Sequence, residues 1–166
     1  MTSTRVAPAP AAAARQPPPE ALESRAGGPT RPGARVRPGT GVENGFIVAR
    51  DGLQYAGTHL LVDLWGARRL DDIALAEATL REAVEAVGAT LLHVHLHHFT
   101  PNGGVSGVAV LAESHISLHT WPERGYVALD IFVCGECDPY AAIPVLRRAW
   151  SPERVQLSEC KRGVSA

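Results

Sequence analysis

Val105-Ser106-Gly107-Val108-Ala109-Val110-Leu111-Ala112-Glu113-Ser114-His115-Ile116-Ser117-Leu118-His119-Thr120 holds two short apolar-rich runs that meet at Glu113-Ser114. Runs of that length and composition predict strands over Val105–Ala112 and His115–Thr120, with Ser114 in the turn between them. A third run, Tyr126–Cys134, follows at once. Three strands in succession cannot be joined by parallel crossovers, which need a dozen or more residues, so this stretch predicts an antiparallel sheet.

Working outward, Thr90 to Phe99 alternates apolar and polar residues and reads as a further strand, and His59–Leu64 as another. Between them Ile73, Ala76, Leu80, Ala83, Val84 and Val87 recur at helical spacing. Asp71 or Asp72 can cap that helix and Gly88 can close it. Downstream, Asp138-Pro139 reads as a cap and first-turn proline. The helix they start would run to about Trp150, with Pro144 kinking it or shifting its start. Val155–Cys160 is a last strand. The order β-α-β-β-β-β-α-β predicts an α+β fold: a two-layer sandwich of a mainly antiparallel sheet with two helices on one face. The other face is left to solvent or to a partner.

Composition bounds the rest. Of 166 residues, 45% are hydrophobic and only 5% aromatic, which predicts a modest core of Ala, Val and Leu. A net charge of -1 leaves no electrostatic footprint for nucleic acid or an anionic membrane. No apolar run approaches the roughly 20 residues of a membrane span. Three cysteines, an odd count without a secretory leader, point to a reduced, cytoplasmic setting. Residues 1–48 are rich in Pro, Ala and Arg and are expected to be a disordered tail. Residues 49–166 are expected to be a single domain, although 41–56 carry no assignable pattern.

Ser114 lacks the Gly-x-Ser-x-Gly frame of an ordinary hydrolase nucleophile. What its setting suits is self-cleavage. The hydroxyl attacks the preceding carbonyl and turns the peptide into an ester. A base then removes the serine Cα proton, and elimination leaves a pyruvoyl group at the new N-terminus. Strain in a tight turn would favour the first step. His119 supplies a candidate base, because an imidazole of pKa near 6.5 is neutral at pH 7. Cys134, a thiol mostly protonated at neutral pH, is a candidate acid for delivering a proton to carbon. Ser106 lies beside the Ser114 turn if the two strands are hairpin partners.

Other patterns have plainer readings. Cys134-Gly135-Glu136-Cys137 forms a Cys-x-x-Cys, but no second ligand pair stands at metal-binding spacing. His93, His95 and His97 share one strand face, with His98 opposite. That row is either a zinc-binding surface or a polar face near a subunit contact. Gly103-Gly104-Val105-Ser106-Gly107 lacks the Lys-Ser/Thr and following helix of a phosphate cradle. No metal site is therefore assigned, and Cys137 and Cys160 are taken as structural.

Taken together, Phe99, Gly104-Val105-Ser106-Gly107, Glu113-Ser114-His115, Leu118-His119-Thr120-Trp121-Pro122-Glu123, Asp130 and Cys134-Gly135-Glu136 resemble the prokaryotic short-chain S-adenosylmethionine decarboxylases. The resemblance spans about Gly57 to Cys160. It implies a proenzyme cleaved between Glu113 and Ser114, with a β chain of residues 1–113 and an α chain of 114–166. Ser114 would become the pyruvoyl cofactor and form a Schiff base with S-adenosylmethionine. His119 would act in processing, Cys134 as proton donor and Ser106 as an auxiliary to both. Phe99 would stack on adenine, and Glu123 would bind ribose hydroxyls. The product would be the aminopropyl donor for spermidine and other polyamines. The resemblance also implies a homodimer of processed αβ protomers whose sandwiches face each other. Asn102-Gly103-Gly104 runs one residue longer than the family's usual link, and the Pro/Ala tail and Pro144 are also departures. Three rivals stand beside this reading: a pyruvoyl decarboxylase of ornithine or arginine, a non-catalytic regulatory homologue, and a zinc-binding module.

Overall fold

The structure, a computed structural model, describes residues 47–50 and 52–165. The tail expected over residues 1–48 therefore lies almost wholly outside the described residues. Strands β1 (Val48–Arg50) and β2 (Leu53–Tyr55) form a small antiparallel hairpin that starts at the last residue assigned to that tail. It carries no alternation long enough to read in the sequence.

The main sheet contains β3 (Gly57–Trp65), β4 (Leu91–His98), β5 (Val105–Leu111), β6 (Ser114–Trp121), β7 (Tyr126–Cys134) and β8 (Arg154–Arg162). Their spatial order is β4-β5-β6-β7-β3-β8, and every neighbouring pair is antiparallel. Helices α1 (Ile73–Ala86) and α2 (Ala142–Trp150) supply the second layer. The expected α+β sandwich is the observed architecture.

Local chemistry sets the element ends. Of the two candidate caps for α1, Asp72 is the one used: its Oδ1 accepts from the Leu75 N–H at 2.9 Å. Gly88, with φ +78°, turns the chain out of the helix. Asp138 caps a single 3-10 turn over Pro139–Ala141 by accepting from the Tyr140 N–H at 3.0 Å, and α2 begins only at Ala142. Pro144 thus falls in the first turn, where its missing N–H has no intrahelical acceptor. It moves the start and leaves the helix unbroken.

The core lies between the sheet and the helices. Leu60, Val62 and Leu64 of β3, Ile116 and Leu118 of β6, and Leu129 and Ile131 of β7 pack with Leu80, Val84, Leu146 and Trp150. Each fully buried aliphatic side chain stabilises the fold by about 1.5–3 kcal/mol. Strand alternation sends the intervening residues to the opposite face. That face has no second layer among the described residues, and Leu61 and Val110 on it are 42% and 40% exposed. Its chemistry decides what the molecule can do.

Candidate active site

The β5–β6 hairpin is closed by Ala112-Glu113, with Leu111 opposite Ser114. Glu113 adopts φ +64°, a left-handed conformation that costs a residue with a Cβ about 1–2 kcal/mol. The strain anticipated at this turn therefore falls on the residue that contributes the carbonyl of the Glu113–Ser114 peptide. β7 lies alongside and brings in Cys134. Its backbone N–H donates to Ser114 Oγ at 3.1 Å, and its thiol donates to the Glu113 carbonyl at 3.3 Å. One cysteine thus contacts both the Ser114 hydroxyl oxygen and the Glu113 carbonyl. Burial pushes the Cys134 thiol above its ordinary pKa, more than its hydrogen bond with Ser114 lowers it, so it stays protonated at neutral pH.

Ser106 and His119 are elsewhere. They face each other across β5 and β6, and Ser106 Oγ lies 2.8 Å from His119 Nδ1. The hairpin partnership expected of these strands is present, but the placement of Ser106 beside the Ser114 turn is corrected by the register. Five residue steps along β6 take Ser114 to His119, roughly 17 Å at strand rise. A hairpin puts the first residue of β5 against the last of β6, so Ser106 belongs at the far end. No side-chain motion within one protomer closes that gap.

The His119 end of the open face is aromatic. Phe99 follows β4 and is 44% exposed, while Trp121 ends β6 and is 37% exposed. Gly104 lies between them: its carbonyl accepts from the Phe99 N–H at 2.7 Å, and a methyl added to it would come 2.9 Å from the Thr120 carbonyl. Phe99 and Trp121 therefore stand two strand spacings apart, about 9.6 Å, on either side of Gly104, with side-chain atoms of Asn102 and Pro122 close to that glycine. Glu123 is exposed in the 3-10 turn Pro122–Arg124 just beyond.

Three open-face features carry no prior assignment. Trp65, Tyr126 and Trp121 stack in a row, with centroids 4.3 and 5.1 Å apart, and Arg154 covers Trp65. The Tyr126 hydroxyl donates to Asp63, which pushes the phenol pKa up to about 12. Toward the Ser114 end, His59 Nε2 lies 3.3 Å from Asp130, and Ser117 also donates to that carboxylate at 3.3 Å. The signal for these pairs was alternation: polar and aromatic residues at every second position of β3, β6 and β7. It gives a face but not partners.

The histidine row does not gather ligands. His93 and His95 stack at 6.5 Å along β4, and Cys137 donates to the Gly88 carbonyl at 3.6 Å. Among the described residues no three His, Cys, Asp or Glu side chains converge to hold a metal ion. No helix there is long and apolar enough to cross a membrane.

The two-layer fold with a strained peptide clasped at a hairpin turn belongs to a recognisable class. Residues 58–163 match the family described as S-adenosylmethionine decarboxylase. The chain is 47% identical over 109 residues to the S-adenosylmethionine decarboxylase proenzyme of Thermomicrobium roseum, covering 65% of this chain and 94% of that protein. It is 49% identical over 115 residues to the Methanococcus vannielii proenzyme, covering 68% and 93%. The crystal structure of the Aquifex aeolicus adenosylmethionine decarboxylase superposes with a TM-score of 0.61 at 33% identity, covering 68% of this chain and 94% of that one. This chain belongs to the S-adenosylmethionine decarboxylase family, a family of enzymes.

Proposed function

We propose that the chain is a proenzyme that cuts itself between Glu113 and Ser114 and then decarboxylates S-adenosylmethionine. The observation that carries this reading is the clasp of Cys134 around a peptide whose first residue is strained. Ser114 Oγ attacks the Glu113 carbonyl carbon, and the C–N bond breaks as the new C–O bond forms. The thiol donating to that carbonyl supports the oxyanion that develops. A base removes the Ser114 Cα proton, the Glu113 carboxylate leaves, and the resulting enamine tautomerises. Water then displaces ammonia and leaves a ketone at the N-terminus of the α chain.

The residues present fit a pyruvoyl group at position 114: the turn is partly open, and a neutral thiol stands beside it. The group supplies an electrophilic carbonyl that condenses with the substrate amine and accepts the electron pair released with carbon dioxide. Cys134 supplies the proton that replaces the lost carboxyl group. Phe99 and Trp121, on either side of the gap at Gly104, offer exposed aromatic faces on which one planar ring can stack. With Glu123 adjacent for hydroxyl recognition, that gap favours a nucleoside-bearing substrate over ornithine or arginine. The product is the aminopropyl donor for polyamine synthesis.

The base, His119, is roughly 17 Å from Ser114 along β6. A homodimer resolves this. Two protomers packed open face to open face, with their β6 strands antiparallel, bring the partner's Ser106 and His119 to the Ser114–Cys134 end. The exposed Leu61 and Val110 are then covered. Intact-mass spectrometry with borohydride trapping tests the reading. Two fragments, one with a reducible N-terminal ketone, are expected. A permanently whole chain without that ketone sinks it.

A further inference from the structure

We propose that the buried Thr120 hydroxyl positions the Ser106–His119 pair, and so makes Thr120 a positioning residue for processing. The inference rests on the role given above to His119. Thr120 is 7% exposed, one of few polar residues in the core. Its hydroxyl donates to the Leu70 carbonyl at 2.7 Å and accepts from the Val105 N–H at 2.7 Å. Both partners are buried, at 3% and 0% exposure. A hydroxyl can rotate freely, but this one has its proton and a lone pair fixed on opposite sides, and a β-branched side chain has few χ1 options in which to do that.

The placement of this bond gives it a function. Val105 immediately precedes Ser106, and Thr120 immediately follows His119, so the clamp sits one residue away from the pair on both strands. Just before it, Gly103 and Gly104 supply no side chain to hold β5 against β6. The clamp also reaches Leu70, in the connection leading into α1, and ties this corner of the sheet to the helical layer. Ser106 Oγ and His119 Nδ1 are thereby held at 2.8 Å on an otherwise exposed surface. For His119 to take a proton at Nε2, its Nδ1 must carry the hydrogen and donate to Ser106 Oγ. A fixed Ser106–His119 distance keeps Nδ1 on Ser106, whose hydroxyl can accept from it, and turns Nε2 away, whereas a splayed β5 would leave the imidazole free to flip.

The test compares Thr120→Val, which keeps the shape and loses both bonds, with Thr120→Ser, which keeps the hydroxyl. Self-cleavage of Thr120→Val is expected to slow at least tenfold, with Thr120→Ser within threefold of the parent. In full-length chains kept whole by Ser114→Ala, the His119 ring nitrogen signals should show a single hydrogen-bonded ring orientation. That preference should disappear with Thr120→Val and return with Thr120→Ser. Parental cleavage and unchanged ring signals in Thr120→Val, with only a lowered melting temperature, would overturn the proposal. If Thr120→Val does not fold, Thr120→Cys replaces it: a thiol bonds weakly, so cleavage at least threefold slower is expected, and the parental rate is the contrary result. A His119→Ala chain cleaved at the parental rate would overturn the base role of His119 alone, and the ring signals would then decide the positioning by themselves.

Discussion

The two ends of the β5–β6 hairpin carry a serine each, yet their settings are opposite. At the turn, Ser114 is half-buried, its hydroxyl is held by the Cys134 backbone, and the neighbouring peptide is strained. At the open end, Ser106 bonds only to an exposed His119, with an aromatic surface beside them. One end holds a strained peptide beside a neutral thiol, and the other holds an exposed imidazole. The difference teaches that Ser114 and His119 lie too far apart along β6 to meet within one protomer.

That comparison breaks most sharply in a mixing experiment. Ser114→Ala alone should remain whole and inactive, and His119→Ala alone should remain whole. Co-folded, the two should give cleavage only of the His119→Ala chain, because its intact Ser114 then meets the partner's His119. Cleavage of no chain in the mixture, or efficient cleavage of His119→Ala by itself, would show that the two ends do not cooperate across a dimer. The next largest effect belongs to Cys134→Ala. Removing a general acid costs typically 10²–10⁴-fold, so decarboxylation should fall at least about a hundredfold. Cleavage should persist, slowed by loss of the thiol contact to Glu113. Near-normal turnover by Cys134→Ala, measured as carbon dioxide release, would remove the thiol from the reaction.

What the sequence disclosed follows from how local each signal is. The strand around Leu118 and the helix around Leu80 were legible because alternation and 3.6-residue spacing are written in consecutive residues. So was the Asp138-Pro139 start, although Pro144 delayed α2 in a way that composition left open. The β1–β2 hairpin was not legible, since three-residue strands carry no period. Ser114, His119 and Cys134 could be singled out by residue type and spacing. Register hid the distance between them: a hairpin turn at Ala112-Glu113 fixes Ser114 and Ser106 at opposite ends, and a list of strands does not say so. Thr120 was visible in the same motif without a role, because its partners Leu70 and Val105 are 50 and 15 residues away.

The two sheet faces extend the comparison to stability. Leu118 is fully buried against the helices, whereas Leu61 is 42% exposed on the opposite face. Leu118→Ala should cost about 2–5 kcal/mol in chemical denaturation, as transfer and cavity terms add. Leu61→Ala should cost the protomer under about 1 kcal/mol and instead weaken self-association, read by sedimentation as a function of concentration. Equal losses of stability without a change in association would mean the open face is not an interface.

The smallest expected effect concerns pH at the Ser114 end alone. His115 lies next to the cleavage residue, with its ring near Phe132 and His59. Burial, then the neighbouring His59, holds its imidazole below the usual 6.5, while burial holds the Cys134 thiol above its usual 9.0. Both shifts favour the neutral form. For His115 the folded state binds fewer protons than the unfolded chain, so its contribution to stability is complete above 6.5 and is lost as pH falls through the lower folded value. For Cys134 the sign reverses: its contribution is present below 9.0 and fades as pH rises through the raised value. The turn is thus most stable between those limits, where the thiol is still an acid. Melting of the uncleaved Ser114→Ala chain from pH 7.5 to 5 should fall more steeply than that of the same chain carrying His115→Gln. Parallel curves would show that His115 is not held neutral beside the cleavage residue.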